Sequence, residues 1–305
     1  MMKNSVTSSE STEAKSEYFQ FKATDGYILT GIKYLPCVPK KANLVIASAT
    51  GVPQEFYQHF ARYMAKLGYE VVSFDYRGIN KSAPESLKEF KMNYLDWGTK
   101  DLSSLLDQIS DSALPLFLIG HSFGGQALGL VTNHHRITAC YSLGTGIGWP
   151  EYMPYFERFK IKLLTKYVMP LMVKRHGYMA WSKLNMGVDL PSDVFKQWQS
   201  WSQYPEYFFD DPKLEFLIDQ YSKVKTKIFA ATSLDDEWAT PKSRNEFMKY
   251  YSNAEVHLID IDPKRYGSNS IGHMGYFKKN AQPIWQSIIQ TLENILNKEQ
   301  KCATE

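Results

Sequence analysis

The sequence predicts a doubly wound α/β fold with a mostly parallel sheet, broken once by a helical insert. Three observations carry this reading. Short apolar runs alternate with helix-length amphipathic ones, the short runs are continuously apolar, and between about residues 146 and 210 the alternation stops in a stretch rich in aromatics. A strand without polar alternation is covered on both faces, as when helices pack on either side of a parallel sheet.

Residues 1–17 hold five Ser, two Thr and five charges with almost nothing apolar, so burial cannot offset the entropy of ordering them, and a flexible tail is expected. Two strands, Tyr18–Lys22 and Tyr27–Tyr34, are separated by the turn Thr24-Asp25-Gly26 and read as an antiparallel hairpin. Strands are then predicted at Asn43–Ser48, Tyr69–Phe74, Pro115–Ile119, Ala139–Leu143, Lys225–Ala231 and Ala254–Ile261. Helices fall at Gln54–Leu67, Tyr94–Ser110, Ser122–Asn133, Pro241–Tyr251 and Ala281–Leu296. This divides the chain into a core of residues 18–145 and 222–298 and a cap insert of residues 146–221. The first 65 residues of the insert carry 15 aromatics, four of the seven Trp and five of the eleven Met.

With 305 residues, 44% hydrophobic and 22% charged, the chain has the composition of a globular protein and is long enough to bury a sizeable core. A formal charge of +3 is too small an excess for a dedicated nucleic-acid surface, so partners must be argued from a site, and the one found below points to a small-molecule acyl substrate. Cys37, Cys140 and Cys302 are too few and too scattered for a disulfide framework or a metal-ligand pair. The first residues lack the apolar run of a signal peptide, and no later run reaches membrane-span length, so a cytoplasmic location is expected.

The sharpest chemical signal is Gly120-His121-Ser122-Phe123-Gly124, with a predicted strand before it and a helix after it. A serine on so tight a strand-to-helix turn is crowded, and glycines two residues to either side remove the Cβ atoms that would clash. The hydroxyl then stands above the sheet, and the helix start aims amides at any anion formed there. Ser122 is therefore the candidate nucleophile. A serine hydroxyl needs a base, and the base needs a carboxylate to orient it, supplied in the chain order Ser, acid, His. After the strand ending at Ala231 comes the acidic turn Asp235-Asp236-Glu237, and after the strand ending at Ile261 comes Gly272-His273-Met274-Gly275. His273, in a glycine-flanked loop, is the candidate base. Asp236 is the candidate acid, with Asp235 as the alternative. The other histidines sit on helices, in a strand or in the insert, and His121 is expected to pack against neighbouring loops. Donors for an oxyanion are expected from the amides of Phe123 and Gly51. No metal or organic cofactor is implied.

With these residues in place, the chain resembles the α/β-hydrolase superfamily over about Tyr18 to Leu296, and more closely the bacterial hydrolases of the serine-aminopeptidase and monoglyceride-lipase-like branch. The resemblance includes Asp75-Tyr-Arg-Gly-Ile-Asn-Lys-Ser82, which looks like a D-x-R-G-x-G-x-S turn with Asn80 at the second glycine. It also includes Trp97, Asp101 and Ile271-Gly-His-Met-Gly-Tyr-Phe277. Asn tolerates the left-handed conformation such a turn needs. In the insert, Asp189-Leu-Pro, Gln197-Trp-Gln-Ser-Trp201 and Pro205-Glu-Tyr-Phe208 look like the cap of an uncharacterised bacterial subgroup. One departure is Ala49-Thr50, where such hydrolases commonly carry His-Gly.

The resemblance implies an α/β-hydrolase fold and a serine hydrolase acting on carboxylic esters or related acyl compounds. Acyl transfer or perhydrolysis by the same residues, and a catalytically silent fold that binds a small ligand, are the alternatives. Trp149, Tyr152, Phe156, Trp181, Trp198 and Trp201 are candidates to line a substrate pocket under the cap. Residues 153–175 are basic and apolar, which suits either a membrane-surface helix or the charged outer face of a cap helix. Pro170 interrupts the run, so the second reading is the expected one.

Overall fold

The structure, a computed structural model, describes residues 14–109 and 113–304. Eight strands form one sheet: β1 (Ser16–Lys22), β2 (Ile28–Tyr34), β3 (Ala42–Ala47), β4 (Tyr69–Phe74), β5 (Leu116–His121), β6 (Ala139–Leu143), β7 (Lys227–Ser233) and β8 (Val256–Ile261). Their order is β1-β2-β4-β3-β5-β6-β7-β8, antiparallel where β2 meets β1 and β4 and parallel from β4 onward. This is the fold of an α/β-hydrolase.

Every residue of β3, β5 and β6 is buried, because helices cover both faces of the central sheet. One face carries α1 (Gln58–Lys66) and α9 (Gln282–Thr304), packed through Phe60, Trp285 and Leu292. The other carries α2 (Ser103–Gln108), α3 (Phe123–Gln126) and α8 (Pro241–Met248), around Trp97, Leu118 and Phe247. Between β6 and β7 lie α4 (Tyr155–Leu163), α5 (Met169–His176), α6 (Ser192–Trp201) and α7 (Phe216–Ser222), with a π-helical turn joining α4 to α5. The edge strand β8 departs from the apolar pattern, since His257, Leu258 and Asp260 face solvent, and charged residues on an exposed edge discourage pairing with another chain.

Several boundaries shift. Strand β1 begins at Ser16 and Ala14 is buried, so the last residues of the expected tail join the sheet, while residues 1–13 lie outside the described residues. Ser110, the expected end of the helix after Tyr94, lies outside them too. The helix expected over Ser122–Asn133 is only the four residues of α3 and a 3-10 turn, Ala127–Gly129. Its continuation is blocked because the Tyr221 hydroxyl donates to the Gln126 carbonyl at 2.7 Å, while the Tyr221 ring packs against bare Gly129.

The Asp75-to-Ser82 turn is held as the pattern requires. Asn80 adopts φ +43°, and its amide reaches Asp75 at 3.0 Å. Arg77 is clamped between Asp101, at 2.8 Å through Nε, and Asp25, at 2.6 Å, and its carbonyl accepts from the Trp97 indole. Trp97 and Asp101 are therefore structural supports, and the turn they hold backs the loop that follows β3.

Candidate active site

The loops after β3, β5, β7 and β8 all leave the carboxyl edge of the sheet, so residues far apart in sequence converge there. Ser122, directly after β5, has φ +52° and ψ −114°, a strained conformation fixed on both sides: its N–H donates to the Leu143 carbonyl at 2.9 Å, and Thr145 Oγ1 donates to its carbonyl at 2.9 Å. The elbow glycines are steric necessities. A Cβ on Gly120 would stand 2.5 Å from Gly125 Cα, and one on Gly124 would stand 2.0 Å from the Ala47 carbonyl oxygen.

His273 Nε2 lies 3.1 Å from Ser122 Oγ, and its Nδ1 lies 2.9 Å from Asp236 Oδ2. Asp236 is 1% exposed and satisfied on every side: the amides of Trp238 and Ala239 donate to Oδ1 at 3.0 and 2.9 Å, and the Tyr276 hydroxyl donates to Oδ2 at 2.8 Å. Burial raises the pKa of this carboxyl, but the His273 contact, the Ala239 amide and Tyr276 outweigh it and leave the pKa below the usual value. An ionised carboxylate fixed in this way selects the imidazole tautomer with its proton on Nδ1, leaving Nε2 free to accept from Ser122.

Asp235, adjacent in sequence, points the other way. It accepts from Ser270 Oγ at 2.7 Å and from the amides of Ile271 and Gly272 at 2.9 and 3.0 Å, and so holds the loop that carries His273. Its burial is also outweighed, by the hydroxyls of Ser233 and Ser270 and by these amides, and its pKa is lowered.

His121 has no route to the serine. It is fully buried, Nδ1 lies 2.9 Å from the Tyr57 hydroxyl, and Nε2 lies 2.9 Å from the His273 carbonyl. The Tyr57 oxygen already accepts from the Ala49 amide at 2.9 Å, so its own proton goes to His121 Nδ1 and the imidazole donates from Nε2. Burial pushes the His121 pKa down to about 3, so the ring is neutral. The chain of bonds from Ala49 through Tyr57 and His121 to His273 ties the loop after β3 to the histidine loop.

Above Ser122 lies a mainly apolar cavity of about 460 Å³. Gly51, Ser122, Phe123 and His273 all stand at its wall. Gly51 adopts φ +71°, and as the first residue of α3, Phe123 presents an amide with no acceptor inside the helix. The Tyr94 ring stacks on Phe123 at 4.5 Å, and its hydroxyl hydrogen-bonds Thr50 Oγ1, joining the segments that carry Gly51 and Phe123. Of the six aromatics expected at the pocket, Trp181 and Trp198 line it. Trp149, Tyr152, Phe156 and Trp201 do not: Trp201 is buried against Tyr94, Tyr207 and Phe208, and Phe156 faces outward. Tyr94, Tyr207 and Trp238, unsuspected from sequence, take their places. Trp238 stacks on Trp198, with centroids 6.3 Å apart, and lies 6.0 Å from the His273 ring. Among the described residues, no group of three or more His, Cys, Asp or Glu side chains is arranged to hold a metal ion.

Solved structures share this fold at low identity. A soluble variant of monoglyceride lipase from Saccharomyces cerevisiae, in complex with a substrate analogue, aligns at 15% identity and TM-score 0.65, covering 94% of this chain and 97% of that one. An esterase from Exiguobacterium antarcticum aligns at 15% identity and TM-score 0.58, covering 90% and 98%. The mouse α/β-hydrolase domain-containing protein 10 aligns at 13% identity and TM-score 0.59, covering 92% and 99%. No curated protein matches the sequence. The family profile of serine aminopeptidase S33 matches residues 39–207, more than half of the chain, from before β3 through the elbow and most of the cap. The chain thus belongs to the serine aminopeptidase S33 family of α/β-hydrolases.

Proposed function

We propose that the protein is a serine hydrolase that cleaves carboxylic esters or related acyl compounds with an apolar acyl portion. The observation that carries this reading is the unbroken line of hydrogen bonds from Ser122 through His273 to Asp236 beneath a mainly apolar cavity. Ser122 attacks the acyl carbonyl while His273 takes its proton, and Asp236 stabilises the imidazolium that forms. The amides of Gly51 and Phe123 receive the oxyanion. His273 then protonates the leaving alcohol, and a water molecule activated by the same histidine releases the acid from Ser122. The esterase and lipase names of the structural neighbours support an ester over a peptide, as does the apolar lining by Trp181, Trp198 and Met153.

The test is labelling by a fluorophosphonate probe, with mass spectrometry of the modified peptide, on wild type, Ser122→Ala and His273→Ala. Labelling at Ser122 that disappears in both variants is expected, followed by turnover of p-nitrophenyl esters that depends on chain length. A folded wild type that takes no label would overturn the assignment.

A further inference from the structure

The outer face of the cap from α4 through α5 is apolar where a solvent-facing helix is ordinarily polar. Tyr155, Phe156, Phe159 and Leu171 are 66%, 85%, 62% and 66% exposed, and Leu163 and Tyr167 are exposed with them. Six of the fifteen exposed large apolar side chains among the described residues therefore fall within residues 155–171. They are not the helix's packing face, since Ile161 and Met169 point inward and are buried. The segment is apolar on two sides and buries only one, a surface that calls for an occupant.

The same face is cationic. Residues 151–176 hold Arg158, Lys160, Lys162, Lys166, Lys174 and Arg175 against Glu151 and Glu157. Glu151 is taken by Arg158 and Lys162, and Glu157, itself buried, by Lys160 and the Trp238 indole. Among the described residues no carboxylate pairs with Lys166, Lys174 or Arg175, all three exposed. On the flank of α5 a groove adds Lys88, Lys91 and Lys196 to Lys174, with Glu89 at its wall and Asp193 set 3.8 Å from Lys91 and 3.7 Å from Lys196, so cations still outnumber carboxylates there. Interleaved aromatic and cationic side chains suit an interface where rings enter the acyl boundary and lysines reach anionic headgroups. A second copy of the chain is disfavoured as occupant, because self-pairing would bring these excess cations together.

We propose that the outer face of residues 155–176 docks on anionic lipid bilayers. The face is contiguous with the cavity, for α4 starts two residues after Met153, which lines it. Glu157 within α4 also accepts from Trp238 at 2.9 Å, beside His273. The docking goes beyond the acyl chemistry proposed above and does not depend on it.

The experiment is co-sedimentation of the full chain, in the Ser122→Ala background so that lipid is not consumed, with vesicles of phosphatidylcholine alone or mixed equally with phosphatidylglycerol. Binding to the anionic vesicles, weak or nil on the neutral ones and reduced by added salt, is expected. Each of Lys166→Gln and Lys174→Gln should weaken it about five-fold, and Phe156→Ser/Phe159→Ser on the order of ten-fold or more. All of these positions are exposed, so unchanged thermal midpoints serve as the folding control. No preference for anionic vesicles, or wild-type binding by the phenylalanine double variant, would overturn the proposal. So would light scattering that shows a dimer in solution dissolved by the same two substitutions, which would assign the face to a second copy. Because binding is read without turnover, its failure leaves the hydrolase reading to its own labelling test.

Discussion

His121→Gln isolates the consequence of burying an imidazole between Tyr57 and the His273 loop. The wild-type ring is fully buried and its pKa is pushed down to about 3, whereas in the unfolded chain it returns to the ordinary value near 6.5. The folded pKa is the lower of the two, so its contribution to stability is fully present above about pH 6.5 and is lost as pH falls toward the folded value. One pH unit in that window is worth about 1.4 kcal/mol, so between about pH 7.5 and pH 5 the loss from this residue is about 2 kcal/mol. The figure depends little on the folded pKa, because pH 5 lies well above it. Glutamine can accept from Tyr57 and donate to the His273 carbonyl, but does not titrate. Urea unfolding of both proteins at the two pH values measures the difference, with every other titrating group common to both. The stability gap between wild type and variant should change by about 2 kcal/mol in the variant's favour on going to pH 5. Parallel pH dependences would refute the claim that His121 is held neutral.

Other substitutions separate residues that lie side by side. Asp236→Asn should lower turnover of an activated ester by about 10⁴-fold while the fold persists, because the amide stabilises the wrong imidazole tautomer. Asp235→Asn should instead cost about 1–3 kcal/mol of stability through the loop donors it abandons, with a much smaller loss of rate; a reversed pattern in kinetics and thermal unfolding would exchange their roles. Gly51→Ala places a Cβ 2.7 Å from the Trp181 ring at a backbone φ of +71°. Fluorophosphonate labelling should slow by about ten-fold or more as the donor loop moves, and an unchanged labelling rate would remove Gly51 from the site.

The elbow and the strands around it were legible in the sequence because their causes are local. Tight approach demands glycine at 120 and 124, burial on both faces demands unbroken apolar runs in β3, β5 and β6, and a left-handed turn position admits Asn80. The order of Ser122, an acidic turn and His273 followed from strand ends meeting at one edge of a parallel sheet. The sequence favoured Asp236 but left Asp235 open beside it, because neighbouring side chains of a turn diverge and only the packed loops turn Asp236 to His273 and Asp235 to the Ser270–Gly272 segment. The same holds for the Tyr276 hydroxyl on Asp236, the Tyr57–His121 chain and the exchange of pocket aromatics, all contacts between segments distant in sequence. The cap shows the limit most plainly. Composition put aromatics and lysines in one stretch, and a charged outer face was the plain reading of it. Only the packing of Ile161 and Met169 inward left the rings of Tyr155, Phe156 and Phe159 in solvent, because a helix has one face to bury and this segment is apolar on two.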